Sequence, residues 1–355
     1  MLNELKNIAE KINRIILNDD FPSIIEPSYL RGTVLDYPGR GGKRLRPALL
    51  CWCCAMLGGD IKKALYPAAA AEIYHNWTLV HDDIIDEDDV RRGLPSAHAS
   101  LAKYARSNFK VISSGAGKFG RDFAMLAGDI QQGWAANTLL KAADHGLSPE
   151  LTIALSRRMQ ELVTRELISG EALDVEFPMR GINNVTSREL LDMLYLKTGA
   201  LLRFCAEAGT AIALESTDFD RPEIRKLGDF ASTAGIAFQL RDDWLGVFGN
   251  FSKFGKTLGS DLAEGKPTLL LLKACEALEP YKRSRLLGLI GLKNYSMDVI
   301  EEARELFIES GAEEYVRRKS EHLADESKAI LKEFPENQYR SWLLELTDYL
   351  VHRDK

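Results

Sequence analysis

PAAAAEIYHNWTLVHDDIIDEDDVRRGLP, residues 67–95, is the stretch on which the fold turns. A proline opens it, four alanines follow, and apolar side chains recur at helical spacing until a run of aspartates meets two arginines, a glycine and a second proline. Proline in a first turn and glycine with proline past the end are the signals that start and stop a helix. The stretch reads as one helix from Pro67 through Val90, stopped by Arg91, Arg92, Gly93 and Pro95, roughly 24 residues or about 36 Å long. Residues 222–250, PEIRKLGDFASTAGIAFQLRDDWLGVFGN, repeat the plan: an opening proline, a long apolar body and aspartates near the C-terminal end.

Outward from these two helices the pattern persists. Apolar residues fall at i, i+3, i+4 and i+7 in nearly every segment, and alternating runs bounded by turns are almost absent. EEARELFIES, SEHLADESKAILKEF and SWLLELTDYLV in the last third read as amphipathic helices. The chain is expected to be all-α. Its 355 residues carry no Pro/Gly/Ser-rich linker or break in composition, so a single domain over 1–355 is expected. SNFKVISSGAGKFGR, residues 107–121, is the most irregular internal stretch and reads as a surface loop; its GAGK lacks the spacing of a phosphate loop.

Composition narrows the function. With 45% hydrophobic and 28% charged residues the chain is that of an ordinary globular protein. A net charge of −6 argues against a broad nucleic-acid-binding surface. No run of about 18 apolar residues suggests a membrane span, and MLNELKNIAEKINRIIL is no signal peptide, so a cytoplasmic location is expected. Five cysteines, three of them in CWCC at 51–54, lack zinc-site spacing and read as reduced, buried apolar residues.

Asp82 and Asp86 stand about 40° apart around a helix and roughly 6 Å along it, with Asp83 flanking. Carboxylates so close repel one another, and in a last turn they also oppose the helix dipole. A cation should offset this. Oxygen ligands without neighbouring His or Cys favour a hard ion such as Mg²⁺, which leaves coordination positions for substrate phosphates. The bland alternative is a solvated acidic face, which suits Glu87, Asp88 and Asp89 better. Asp242 and Asp243 repeat the logic, with a salt bridge to Arg241 as their alternative. No DxDxDG pattern supports a calcium loop.

A diphosphate substrate would also need cations. GRGGKRLRP, residues 39–47, sets Arg40, Lys43, Arg44 and Arg46 among glycines; Arg91 and Arg92 close the first acidic helix; Lys197, Lys256 and Lys266 lie in KTG and GKTLGSDLAEGKPT. His75 lies about 20° around the helix from Asp82.

GGKRLRP (41–47), HDDIIDEDDVRRG (81–93), LAGD (126–129), KTG (197–199), FQLRDD (238–243) and GKTLGSDLAEGKPT (255–268), in this order, resemble the trans-isoprenyl diphosphate synthases, or polyprenyl synthetases. The terminal HRDK resembles the short basic tail of many members. The resemblance implies an isoprenoid-synthase-type bundle of long helices around a central cavity, a homodimer, and Mg²⁺-dependent condensation of isopentenyl diphosphate with an allylic diphosphate. By motif, Asp82, Asp83, Asp86, Asp242 and Asp243 would hold Mg²⁺. Arg91, Lys197, Lys256 and Lys266 would grip the allylic diphosphate, Thr198 and Gln239 would line the reaction centre, and Lys43, Arg46, His75 and Arg92 would bind isopentenyl diphosphate.

Gly246 and Asn250 depart from the resemblance where many relatives have aspartates, although a subgroup with DDxLG also uses glycine at the first place; Glu171 stands where glutamine is common, and the stretch at 107–121 is longer than usual. The first two would weaken the second metal site. Below Asp82 on the helix, Thr78, Tyr74 and Ala71 lie roughly 6, 12 and 16 Å down, and Tyr74 is the natural floor for a growing chain. Trp77 points about 140° away, yet in the family an aromatic fifth before the motif often limits growth. The resemblance implies a geranylgeranyl diphosphate synthase, with farnesyl diphosphate the next product. A class I terpene cyclase would need no acceptor site, and a non-catalytic partner subunit would lack the complete first acidic motif.

Overall fold

The computed structural model describes residues 1–109, 111–249, 262, 265–292 and 296–351. Among them the chain is all-α apart from one short hairpin. In chain order the helices are α1 (Leu2–Leu17), α2 (Ser28–Gly39), α3 (Leu45–Met56), α4 (Ile61–Ile85), α5 (Ala97–Phe109), α6 (Ser113–Leu140), α7 (Pro149–Arg157), α8 (Thr164–Arg180), α9 (Ser187–Leu194), α10 (Ala200–Ala213) and α11 (Pro222–Phe248). Then come α12 (Leu269–Ala277), α13 (Pro280–Leu289), α14 (Met297–Glu309), α15 (Ala312–Leu331) and α16 (Gln338–Val351). None is long and apolar enough to cross a membrane.

The chain divides into two compact units. The first holds Met1–Gln160, Phe204–Arg225 and Asn337–Trp342; the second holds Glu161–Arg203, Lys226–Glu336 and Leu343–Lys355. Within the first unit α4 is buried around most of its circumference, packed by α1, α3 and α6. Four successive alanines, 68–71, permit this: each is fully buried and none holds a neighbouring helix away. A helix apolar on every side belongs in a core.

The sequence reading of α4 needs two corrections. The helix begins at Ile61, not Pro67, because the Asp60 carboxylate accepts the Lys62 N–H at 2.9 Å and caps it; Pro67 sits inside. It ends at Ile85, with Asp86 as its cap and Glu87 in the left-handed region. Beyond it Val90–Arg91 pairs antiparallel with Leu94–Pro95. Arg92 and Gly93 between them both have positive φ, 56° and 75°, as a two-residue turn of type I′ requires. Residues 107–121 are not a loop: α5 runs to Phe109 and α6 starts at Ser113. One glycine there serves packing, since a Cβ on Gly120 would stand 2.3 Å from the His98 carbonyl oxygen.

In the second unit α8, α9, α11, α12, α14 and α15 enclose a core that includes Phe177, Leu190, Leu240, Leu269, Leu271 and Phe307. The helices expected in the last third are present as α14, α15 and α16. Arg304 donates to the Val247 and Gly249 carbonyls at 2.7 and 3.1 Å, answering the open carbonyls at the end of α11 with a cation. All five cysteines are buried free thiols.

Candidate active site

Asp82 and Asp86, on the last turn and cap of α4, are partly exposed, whereas Asp83 is fully buried. A buried carboxylate needs several donors. Asp83 Oδ1 accepts from Arg91 Nε at 2.6 Å and from Arg91 Nη2, and Oδ2 accepts from the Tyr37 hydroxyl. Burial pushes the Asp83 carboxyl up, an effect the Arg91 and Tyr37 hydrogen bonds offset in part. Burial alone would lower Arg91, but the hydrogen bond and charge of Asp83 outweigh it and raise it. The same guanidinium lies 3.9 Å from Asp82 and 3.3 Å from Asp88. Asp82 and Asp86 are thus the solvent-reached pair of this turn, while Asp83 faces inward and is bonded to Arg91.

The structure sorts the four cations of residues 39–47. Arg40 donates to Asp36 through Nε at 2.8 Å and to the Arg91 and Pro95 carbonyls at 2.9 and 2.7 Å. Arg44, in the left-handed region at φ 51°, is buried and bonds Glu72 at 2.6 Å, Asn13 at 2.9 Å and the Pro38 carbonyl at 2.7 Å. Both are engaged in holding the fold. Lys43 is exposed, and Arg46 is partly buried with its Nε lacking any hydrogen-bond partner among the described residues. Arg92 donates to the Gly41 carbonyl, and a Cβ on Gly42 would lie 3.3 Å from its Nη1. Burial first, then the charges of Arg46, Arg92, Arg91 and Arg44, push His75 well below its usual pKa. Positive charge is thus concentrated around His75, and the nearby carboxylate of Glu72 is engaged by Arg44.

In the second unit a π-helical turn, Tyr195–Gly199, carries Lys197 and Thr198. Such turns often mark functional sites. Gly170 on α8 lets this turn approach, because a Cβ there would stand 2.4 Å from the Lys197 nitrogen. Lys197 Nζ consequently sits 2.6 Å from Asp174 and 2.8 Å from Glu171, and Lys266 lies 3.5 Å from the same Asp174. The Thr198 hydroxyl donates to Gln239 Oε1 at 3.3 Å, and Gln239 Nε2 donates to Asp243 at 3.1 Å. Asp242 and Asp243 are partly buried on α11 and Gly246 is buried; Arg241 lies 4.1 Å over the Trp244 ring. Lys256 and Asn250 lie outside the described residues.

Sequence reasoning missed Tyr37, Glu72 and Asp174. Asp174 had a signal, three residues beyond Glu171 and so on its helix face; Tyr37 had none, standing 46 residues from its partner.

Ala71 and Tyr74 are fully buried and Trp77 nearly so, while Thr78 is partly buried with its hydroxyl on the His75 carbonyl at 2.8 Å. The Tyr74 and Trp77 rings meet edge to face at 4.8 Å, so the two aromatics that spacing placed on different faces make one layer. Trp77 packs in turn on His81, whose Nε2 lies 3.1 Å from the Met125 carbonyl on α6.

A family model described as polyprenyl synthetase matches residues 28–307. The chain is 34% identical to geranylgeranyl diphosphate synthase of Sulfolobus acidocaldarius over 299 residues, covering 83% of this chain and 80% of that protein. It is 33% identical to geranylfarnesyl diphosphate synthase of Aeropyrum pernix over 340 residues, covering 95% and 98%. Among solved structures, geranylgeranyl pyrophosphate synthase of Corynebacterium glutamicum, complexed with isoprenyl diphosphate and magnesium, superposes with a TM-score of 0.84 at 28% identity, covering 99% of each chain. The acidic turn of α4, the concentration of positive charge around His75, and this match across most of the sequence lead to one conclusion: the chain is a prenyltransferase belonging to the polyprenyl synthetase family.

Proposed function

We propose that the enzyme condenses isopentenyl diphosphate head to tail with allylic diphosphates, with Mg²⁺ as cofactor, and releases geranylgeranyl diphosphate. One contrast in charge supports the reading: Lys197 lies among the carboxylates of Asp174 and Glu171, whereas His75 is surrounded by the charges of Arg46, Arg92, Arg91 and Arg44, and the nearby Glu72 is engaged by Arg44. A donor diphosphate bound through metal and an acceptor diphosphate bound without it require these two environments. A terpene cyclase would need only the first.

The donor set suits Mg²⁺. Asp82 and Asp86 are oxygen donors four residues apart on one face of the end of α4. Mg²⁺ ordinarily takes one or two carboxylates and completes its shell with water and substrate phosphates. Asp82 and Asp86 would hold it in the first unit, and Asp242 and Asp243 would hold a further ion in the second; when bound, Mg²⁺ would neutralise charge on the departing diphosphate. Asp83 is reassigned from ligand to support, since Arg91 and Tyr37 engage both its oxygens.

The protein's own groups do the rest. Lys197, Lys266 and Lys256 are assigned to the allylic diphosphate in the second unit, where Asp174 and Glu171 hold Lys197 in place, and Arg91 is assigned to diphosphate binding in the first. Arg46, Arg92, Lys43 and neutral His75 bind isopentenyl diphosphate. Ionisation of the allylic C–O bond leaves a carbocation beside Thr198 and Gln239, sheltered from water in a cavity between the helices. The isopentenyl double bond attacks it, and the proton lost from the adduct passes to the released diphosphate.

Tyr74 and Trp77 support a short product. A C25 product is the second reading, favoured by the Aeropyrum pernix relative. The two units would work as one domain, and the enzyme as a homodimer in the cytoplasm. Five buried free thiols suit a reducing compartment. The test is incubation with radiolabelled isopentenyl diphosphate and dimethylallyl, geranyl or farnesyl diphosphate, with Mg²⁺ or EDTA. C20 product dependent on both substrates and on Mg²⁺ is expected; hydrocarbon formed without isopentenyl diphosphate would overturn the reading.

A further inference from the structure

We infer that Tyr37 is a positioning residue for the reaction centre, setting the aim of Arg91 through Asp83. The inference rests on the proposed role of the α4 acidic turn in binding metal and diphosphate. Tyr37 belongs to α2, is 1% exposed, and reaches Asp83 across 46 residues of sequence. Its hydroxyl also accepts the backbone N–H of Ala97 at 3.0 Å, at the start of α5. A backbone N–H can only donate, so the single phenolic proton is left for Asp83 Oδ2. The direction is fixed without choosing a rotamer: Ala97 N–H to Tyr37 oxygen, Tyr37 O–H to Asp83.

Asp83 Oδ1 is then the oxygen left to Arg91, whose Nε and Nη2 both reach it. A guanidinium held this way has its plane set, and the Nη2 shared with Asp83 is the one that lies 3.9 Å from Asp82. The backbone is held from the same side. Arg40, one turn beyond and with its guanidinium 4.7 Å over the Tyr37 ring, donates to the carbonyls of Arg91 and Pro95, one on each strand of the hairpin. The end of α2 therefore secures Arg91 twice, by its main chain through Arg40 and by its side chain through Tyr37 and Asp83. Without the hydroxyl, Asp83 Oδ2 becomes a buried acceptor lacking a donor. Arg91 is then free to rotate onto both oxygens and away from Asp82.

The test uses the full-length enzyme and Tyr37→Phe, with thermal melts to confirm that both are folded at the assay temperature. Binding of inorganic diphosphate with Mg²⁺, followed by calorimetry, should weaken about tenfold, as expected for one lost hydrogen bond to a charged group. The KM for the allylic diphosphate should rise by a similar factor, while the KM for isopentenyl diphosphate stays within about twofold because Arg40 still holds the hairpin. In an Asp83→Asn background Tyr37→Phe should have little further effect, since the pathway through the carboxylate is already broken. Unchanged diphosphate affinity in Tyr37→Phe, equal loss for both substrates, or the same added loss in the Asp83→Asn background would each overturn the inference. If the wild type couples no prenyl donor at all, the proposed function fails on that result, and calorimetry still decides the role of Tyr37.

Discussion

Removing either aromatic of the α4 layer should lengthen the product. Tyr74 lies eight residues before Asp82 on one continuous helix, about 12 Å down its axis, and Trp77 five residues before, about 7.5 Å. Their rings touch edge to face at 4.8 Å and are almost inaccessible to solvent. The next residue on that face below Tyr74 is Ala71, about 16 Å from Asp82, whose methyl cannot block a polyprenyl tail. Tyr74→Ala should therefore add at least one isoprene unit to the main product, and Trp77→Ala should do so less completely because Tyr74 remains beneath it. Truncating a buried aromatic costs about 3–5 kcal/mol. With an unfolding entropy near 2.1 cal/mol/K per residue, that lowers the melting temperature of a 355-residue chain by about 4–7 °C. Both variants should stay folded at moderate temperature. The assay is chromatography of dephosphorylated products made from farnesyl diphosphate and labelled isopentenyl diphosphate. An unchanged product profile from both folded variants would refute the layer as the floor.

Further expectations concern charge. His75 has its folded pKa well below 6.5, so below about pH 6.5 the unfolded chain takes up a proton that the folded chain refuses. The apoenzyme should lose stability as pH falls through that value, levelling only below the folded pKa; melting temperatures against pH should show a shallower slope in His75→Asn. Glu72→Ala leaves Arg44 buried without its partner and should cost about 3–5 kcal/mol, read by denaturant unfolding. A fall below 1 kcal/mol would show that the pair is not needed. Gly246→Asp places a carboxylate at a buried position of α11. The variant should remain active with Mg²⁺ but melt lower than wild type in EDTA, and Mg²⁺ with diphosphate should close that gap; an inactive but folded variant would show that the space is used otherwise.

The geometry of the first acidic turn was legible in the residues. Asp82 and Asp86 share a face because they stand four apart in a helix, and in the structure both are partly exposed while Asp83 is buried. The α11 boundaries followed from Pro222 and from Gly249. The start of α4 did not, since Asp60 caps it and Pro67 is tolerated where packing on every side stabilises the helix. Residues 107–121 misled for a related reason: glycines there read as chain breakers, whereas Gly120 is a contact point between helices.

The sequence by itself determined the all-α character, the two acidic turns and the cations available to answer them, because helical period and local turn signals act over a few residues. Only the tertiary structure decided which charges remain open to a ligand. Asp83 turns inward to Tyr37 and Arg91, Arg44 is engaged by Glu72 and Asn13, and Lys197 waits on Asp174 and Glu171. A buried charge must find its partners wherever the fold brings them, and these come from elements far apart in the chain, where spacing carries no information.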